Sequence, residues 1–212
     1  MRILIIGDFH VPDRNKEIPL EIINSVNKEI NKQPFDFLAC TGDLTRRPNI
    51  EPMLNLWSAE KLVVQGNMDY FHSDNDEFFH EATFNTRKFV EGEEVVEIGI
   101  IHGHQVRPRG DTMLLSRKAS NMDANILISG HTHALSVEIF TDPKSGKKIL
   151  LLNPGSATGS WSFVASGKPS YLILEIKPAS EGLDVSVECH EFEGKKENTW
   201  RSYHKFKDAS FI

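Results

Sequence analysis

The sequence predicts an α/β protein: a largely parallel sheet in the first two thirds of the chain, then more antiparallel strands. Two observations carry this expectation. Short apolar runs alternate with stretches of helical periodicity up to about residue 135, the pattern of βαβ units. Five of those runs also end in a glycine-containing turn that carries Asp, Asn or His. They start at Ile3, Phe37, Leu62, Ile98 and Ile126 and lead to Asp8 and His10, Asp43, Asn67, His102 and His104, and His131 and His133. A buried strand stopping in a tight turn reads in this way.

The elements follow in order. Ile3–Ile6 opens the sheet. Ile18, Ile22, Val26 and Ile30 recur every four residues and predict an amphipathic helix ending near Pro34. After the Phe37 strand, Ile50, Met53, Leu54 and Trp57 form a second helical face, opened by Pro48-Asn49. Beyond the Leu62 strand, residues 71–94 hold seven acids (Asp74, Asp76, Glu77, Glu81, Glu91, Glu93, Glu94) against Arg87 and Lys88, and read as an acidic surface insertion. Residues 111–124, with Met113, Leu114, Arg117 and Lys118, read as a third helix between the Ile98 and Ile126 strands. From about residue 135 strands come without helices, at 136–141, 148–152, 171–176 and 185–189. Turn-rich pieces at 142–146 and 178–182 join them, so they are expected as hairpins of a second, more antiparallel sheet. The tail from about Gly194 mixes Lys, Glu, Trp200, Tyr203 and Phe206 and allows a last strand. No linker, repeat or low-complexity tract interrupts the 212 residues, which are read as one domain over 1–212.

Composition narrows the function classes. A hydrophobic fraction of 39% and a charged fraction of 25% are those of an ordinary globular chain. The net charge of −6 argues against nonspecific nucleic-acid binding, which needs a basic face. No run approaches the ~18 apolar residues that would span a bilayer. The early Asp8 leaves no signal-peptide core, and Cys40 and Cys189 make no disulfide framework. A reducing, cytoplasmic compartment is the expectation, with no direct membrane insertion.

In open α/β sheets ligands gather at the carboxyl ends of the strands, and all five tipped turns lie at such ends. Two carboxylates, one amide and five imidazoles without thiolate suit Mn²⁺, Zn²⁺ or Fe rather than Ca²⁺ or an iron–sulfur cluster. Two such ions, about 3.5–4 Å apart, need a bridging carboxylate and together activate water and clamp phosphoryl oxygens. Alone, Asp8 or Asp43 would read as a turn or capping residue; the company of His10, His131 and His133 overrides that reading.

Gly7-Asp8-Phe9-His10, Gly42-Asp43, Gly66-Asn67-Met68-Asp69, His102-Gly103-His104 and Gly130-His131-Thr132-His133 together resemble the ordered motifs of the calcineurin-like metallophosphoesterases. The resemblance spans roughly residues 1–135. It implies a four-layer α-β-β-α sandwich of two mixed sheets flanked by helices. It also implies two divalent metal ions, with Asp8, His10 and His133 on one, Asn67, His102 and His131 on the other, and Asp43 between them. His104 then supports the ligands without binding metal. Where active members of that family commonly carry a His after the motif Asn, this chain has Met68, whose side chain can neither protonate a leaving group nor stabilise the transition state. No catalytic general acid is therefore assigned.

A narrower likeness extends over roughly residues 1–190. His102–Asp111, Asn125–His133 and Asn153-Pro-Gly-Ser-Ala-Thr-Gly159 resemble the retromer small-subunit family. That likeness implies a scaffold: its metal-site face docks on the large α-solenoid retromer subunit, which brings it to endosomal membranes for cargo retrieval. It further implies an apolar patch for regulatory proteins around Ile173 and Val187, altered by Arg2 where an apolar residue would be expected. On sequence alone the scaffold leads, and a divalent-metal-dependent phosphodiesterase using the same ligands is the alternative. Asn153–Ser156 is placed beside the site as a turn. His72, His80, His190 and His204 are expected to face solvent.

Overall fold

A strand that is apolar on both faces must lie between two layers. In the computed structural model, which describes residues 1–69, 78–80, 86–91 and 94–212, the first strand is buried at every position. In chain order the elements begin β1 (Arg2–Ile6), α1 (Leu20–Lys32), β2 (Phe37–Cys40), α2 (Arg47–Trp57), β3 (Lys61–Val64) and β4 (Phe79–His80). There follow β5 (Thr86–Glu91), β6 (Glu94–Ile101), α3 (Thr112–Asn121), β7 (Ile126–Ser129), β8 (Leu135–Thr141) and β9 (Lys148–Pro154). The chain closes with β10 (Ser170–Pro178), β11 (Leu183–Glu193), β12 (Lys196–Lys207) and β13 (Ser210–Phe211).

Two mixed sheets result. One has the order β13-β12-β11-β10-β1-β2-β3-β4, the other β5-β6-β7-β9-β8. Each has a parallel centre, β1 to β4 in the first and β6-β7-β9 in the second, with antiparallel strands beyond it. Ile3, Ile5, Ala39 and Val64 of the first sheet pack against Ile98, Ile100, Ile126 and Leu150 of the second. The alternate residues Leu4, Ile6, Leu38 and Val63 face Ile22 and Val26 of α1 and Ile50, Leu54 and Trp57 of α2. Ile101, Leu127, Ile149 and Leu151 of the second sheet meet Leu115 and Ala119 of α3. The layers are therefore α1/α2, sheet, sheet, α3, the four-layer sandwich expected from the motifs.

The helices stand where the periodicity put them. α1 starts at Leu20, two residues after Ile18, with Pro19 at its N-cap, and Ile18 still packs in the core. α2 carries Pro in its first turn, and the Asp111 carboxylate caps α3 by accepting from the Leu114 N–H at 2.9 Å. The tail is strand, as β12 and β13.

The strands after residue 135 do not form a sheet of their own. β8 and β9 complete the sheet of β6 and β7, whereas β10 to β13 extend the sheet of β1. Pairings such as Leu4 with Ile173 join residues far apart in sequence, and local pattern carries no signal for that choice. Of the acidic stretch 71–94, the described parts are strand: β4 on the edge of the first sheet, β5 paired antiparallel with β6. The remainder lies outside the described residues, as do His72 and the side chain of His80.

Two further expectations are corrected. Ile173 and Val187 make no surface patch: they are 1% and 0% exposed and belong to separate cores on opposite faces of the same sheet. His190 is buried, stacked on Tyr171 with ring centroids 4.3 Å apart, and its Nδ1 lies 2.7 Å from Glu197. His204 is half-buried. Among the described residues no helix is long and apolar enough to cross a membrane.

Arg2, foreign to an apolar strand position, is resolved by its surroundings. Its guanidinium lies 2.7 Å from Glu29 and 3.3 Å from Glu175, and it covers the Phe35 ring at 4.5 Å. It also donates to the Glu29 and Gln33 carbonyls at the end of α1, where backbone acceptors run short of helical donors. Removing one partner of a buried pair strands the other. Arg2→Ala should therefore lower the unfolding free energy by roughly 3 kcal/mol in urea titration. The cysteines are inert for a related reason. Burial pushes the Cys40 thiol up beyond any working pH and that of Cys189 to about 12. Ellman's reagent at pH 8 should label neither in the native protein and both in denaturant.

Candidate metal centre

All five tipped turns meet at one edge of the sandwich. Those after β1, β2 and β3 come from the first sheet, and those after β6 and β7 from the second. The turns are cross-linked by backbone: Asp8 N–H donates to Gly42 O at 2.9 Å, His10 N–H to Asp43 O at 2.9 Å, and Gly130 N–H to His102 O at 2.9 Å. Asp8 then joins the sheets, because both its carboxylate oxygens accept from the His131 N–H, at 3.2 and 3.1 Å.

The backbone is unusual here. Asp8, His10, Asp43, His131 and His133 all have left-handed φ, between 50° and 68°. Non-glycine residues rarely take this conformation, and when they do it marks positions over-determined by function. The glycines of the motifs serve a different end. A Cβ on Gly66 would sit 2.0 Å from Asp43 Oδ1, and one on Gly130 would sit 2.4 Å from Asp8 Oδ2. They are absent side chains that let the carboxylates in.

Two groups of side chains emerge, Asp8, His10, Asp43 and His133 in one, Asp43, His102 and His131 in the other, all buried but the half-buried His131. Within each, one ligand atom per residue lies within 4.8 Å of the rest, and Asp43 belongs to both. His10 Nε2 is 3.0 Å from His133 Nε2 and 3.4 Å from Asp43 Oδ2; His133 Nε2 is 3.3 Å from Asp8 Oδ1. His102 Nε2 lies 3.4 Å from Asp43 Oδ2 and 3.0 Å from the Asn67 amide oxygen.

The hydrogen bonds on the far sides of the rings decide what these contacts mean. His102 Nδ1 faces the Thr41 carbonyl at 2.7 Å, and His133 Nδ1 faces the Ser160 carbonyl at 2.9 Å. A carbonyl only accepts, so each Nδ1 carries a proton and each ring turns its Nε2 inward. Those Nε2 atoms crowd against carboxylate, amide and imidazole acceptors, and free of protons they are lone pairs converging on a shared centre. A cation is the species that fits such a nest of acceptors, and N/O ligands without sulfur suit Mn²⁺, Zn²⁺ or Fe.

The electrostatics agree. Burial drives the imidazoles of His10 and His131 down to about 3, so both are neutral at pH 7. Burial pushes Asp43 up to about 6 against the opposing pull of His102, with Asp8 adding to the rise. In Asp8, burial is outweighed by the hydrogen bond from His133 and the histidine charges around it, which hold its carboxyl below the usual range.

His104 stands outside both groups, its ring 5.4 Å from that of His102. Met68 contributes its backbone, donating N–H to Asp43 Oδ1 at 2.7 Å. The 153–160 segment props the turns, as its placement in sequence implied. Asn153 donates to Gly130 O and Thr132 Oγ1, Ser156 to Asp8 O and Thr158 to Phe9 O. Sequence reasoning passed over Asp69, whose carboxylate accepts from the N–H groups of Asp43, Thr45 and Gly66 at 2.8, 2.9 and 2.8 Å and so fixes the β2 and β3 turns together. An acid two residues after the motif Asn was its only signal. It also missed Arg14, Arg109, Trp161 and Phe163, which with Asp43, Asn67, His131 and His133 line an open cleft of about 580 Å³.

Known proteins resemble this chain in sequence and in fold. A probable metallophosphoesterase of Methanocaldococcus jannaschii is 33% identical over 158 residues, covering 74% of this chain and 69% of that protein. One from Methanothermobacter thermautotrophicus is 32% identical, covering 88% and 91%. Among solved structures, wild-type Vps29 of Entamoeba histolytica complexed with Zn²⁺ superposes with a TM-score of 0.72 at 30% identity over 96% of this chain and 99% of that one. Vacuolar protein sorting 29 of Cryptosporidium parvum gives 0.78 at 25% identity over 97% and 98%. Residues 1–179 match the calcineurin-like phosphoesterase superfamily domain, and the chain belongs to that superfamily.

Proposed function

We propose that this protein is a divalent-metal-dependent phosphodiesterase. The carrying observation is the nest of acceptors: two ligand groups that share Asp43, with imidazole Nε2 atoms turned on carboxylate and amide oxygens. Asp8, His10 and His133 would hold one ion, Asn67, His102 and His131 the other, and Asp43 both. When bound, such a pair lowers the pKa of a water and polarises phosphoryl oxygens. The chain supplies the rest. Arg14 and Arg109 bring guanidinium charge to the cleft, matched to the oxygens of a phosphoester. His131, one of the ligands that line the cleft, is fixed through its backbone by Asp8. No side chain at position 68 can protonate the departing oxygen, which favours esters whose leaving group departs as a stable anion.

The order of readings is the reverse of the one drawn from sequence. The archaeal relatives at 32–33% identity are probable metallophosphoesterases, whereas retromer enters through likeness to Vps29 structures at 25–30% identity. That likeness supports a second reading, a retromer scaffold docking by the same face on the large α-solenoid subunit and reaching endosomal membranes through it. Trp161 and Phe163, exposed on that face, are consistent with it. A pull-down with the solenoid subunit at low salt that recovers no complex eliminates it.

Protein stripped by chelator should not hydrolyse an aryl phosphodiester, and Mn²⁺ should restore turnover. Asp43→Ala should reduce the rate to that of the stripped protein; equal rates for the variant and the Mn²⁺-loaded native chain refute the proposal. Introducing the missing donor, Met68→His should raise turnover of esters with poor leaving groups by roughly 100-fold, with a smaller gain for nitrophenyl esters.

A further inference from the structure

The segment after the metal-site props has an alternating design. Ser160 and Ser162 are 3% and 5% exposed, while Trp161 and Phe163 between and beyond them are 67% and 87% exposed. The serines are anchors. The Ser160 carbonyl accepts from His133, and Ser162 Oγ donates to the Thr132 carbonyl at 2.5 Å. On the other side Arg14 donates to the Trp161 carbonyl at 3.3 Å, and Asn15 donates to Thr158 and Ser160 at 2.8 and 2.6 Å. The segment is thus bonded to the turns that carry His10 and His133. Its two aromatic rings pack edge to face with centroids 4.8 Å apart, on the wall of the same cleft.

Two large apolar rings in water are unfavourable unless something covers them, and here the covering group must also suit what lies beside them. That neighbourhood is the acceptor nest, Arg14 and Arg109. A ligand meeting all three has a phosphoryl group at the nest and a planar ring on one arm. A cleft of about 580 Å³ is of nucleotide size. A long polynucleotide is disfavoured by the net charge of −6.

We infer that Trp161 and Phe163 form a stacking platform for the non-leaving arm of the substrate, and that the substrate class is small nucleoside phosphodiesters. The inference rests on the phosphoesterase reading for where the phosphate sits. Stacking on an aromatic side chain tolerates any base, so the platform selects for a ring and not for its identity.

The test separates the two claims. Thymidine 5′-monophosphate and methyl phosphate are titrated calorimetrically into the full chain loaded with Mn²⁺. The nucleotide should bind roughly tenfold or more tightly. In Trp161→Ala/Phe163→Ala, whose replaced side chains are exposed and whose fold is checked by circular dichroism, the ratio of the two affinities should fall towards one. A ratio near one in the native chain, or a ratio untouched by the double substitution, overturns the platform. In parallel, thymidine 5′-(p-nitrophenyl) phosphate and methyl p-nitrophenyl phosphate share a leaving group and differ only in the other arm. Their kcat/KM values should differ in the same direction, and the difference should shrink in the double variant. If neither ester turns over while the binding ratio and its loss persist, the platform stands and the phosphodiesterase reading falls.

Discussion

The carboxylate of Asp8 holds the two sheets together at the edge where the chemistry lies. Its own N–H is bonded to the β2 turn, its carbonyl to Ser156, and its two oxygens to the His131 N–H across the sheet boundary. It is 0% exposed, so these bonds replace water that it has entirely lost. A buried carboxylate without partners would cost several kcal/mol; with them it becomes a strut between layers. The rest of the centre follows from it. Gly130 must lack a side chain to leave room for Asp8 Oδ2, and His131 must turn left-handed to aim its amide at it.

Acceptors have been concentrated at this edge of the sandwich. Asp8 and Asp43 are anionic or nearly so at neutral pH, and His10 and His131 stay neutral because burial disfavours their charged form. Desolvation of this kind makes imidazole a ligand rather than a counter-ion, since a ring without its second proton offers a lone pair. The Thr41 and Ser160 carbonyls complete the arrangement by claiming the other proton of His102 and His133. The carbonyl beneath each ring therefore matters as much as the ring.

Much of the site was legible because each ligand sits directly after a strand, and strands of apolar residues ending in glycine announce themselves locally. The α1 and α2 faces were legible for the same reason: Ile22, Val26, Ile50 and Leu54 follow the helical period and all are buried. What could not be read was non-local. Sheet membership of β10 depends on pairing with β1 some 170 residues away, and no local pattern encodes a partner. Ile173 and Val187 failed as a surface for that reason, each covered by an element whose placement the sequence does not state. Arg2 misled in the opposite sense, an apparent defect in an apolar face that is satisfied by Glu29, Glu175 and the end of α1. Trp161 and Phe163 gave no periodic signal, because their pattern is set by the two anchored serines and not by a regular element.

The left-handed turns bear on why the centre persists. Five candidate ligands there take a conformation that costs on the order of 1 kcal/mol or more each, a sum comparable with the whole stability of an ordinary domain. A face kept only for docking would need shape, which unstrained turns could provide. What these turns provide beyond shape is direction: they swing Asp8, His10, Asp43, His131 and His133 towards a shared centre. Such strain survives where surrounding bonds over-determine it, and Asp69, Asn153, Ser156 and Thr158 supply those bonds. Their effort is spent on the orientation of ligand atoms. That is the investment expected of a site that handles a cation.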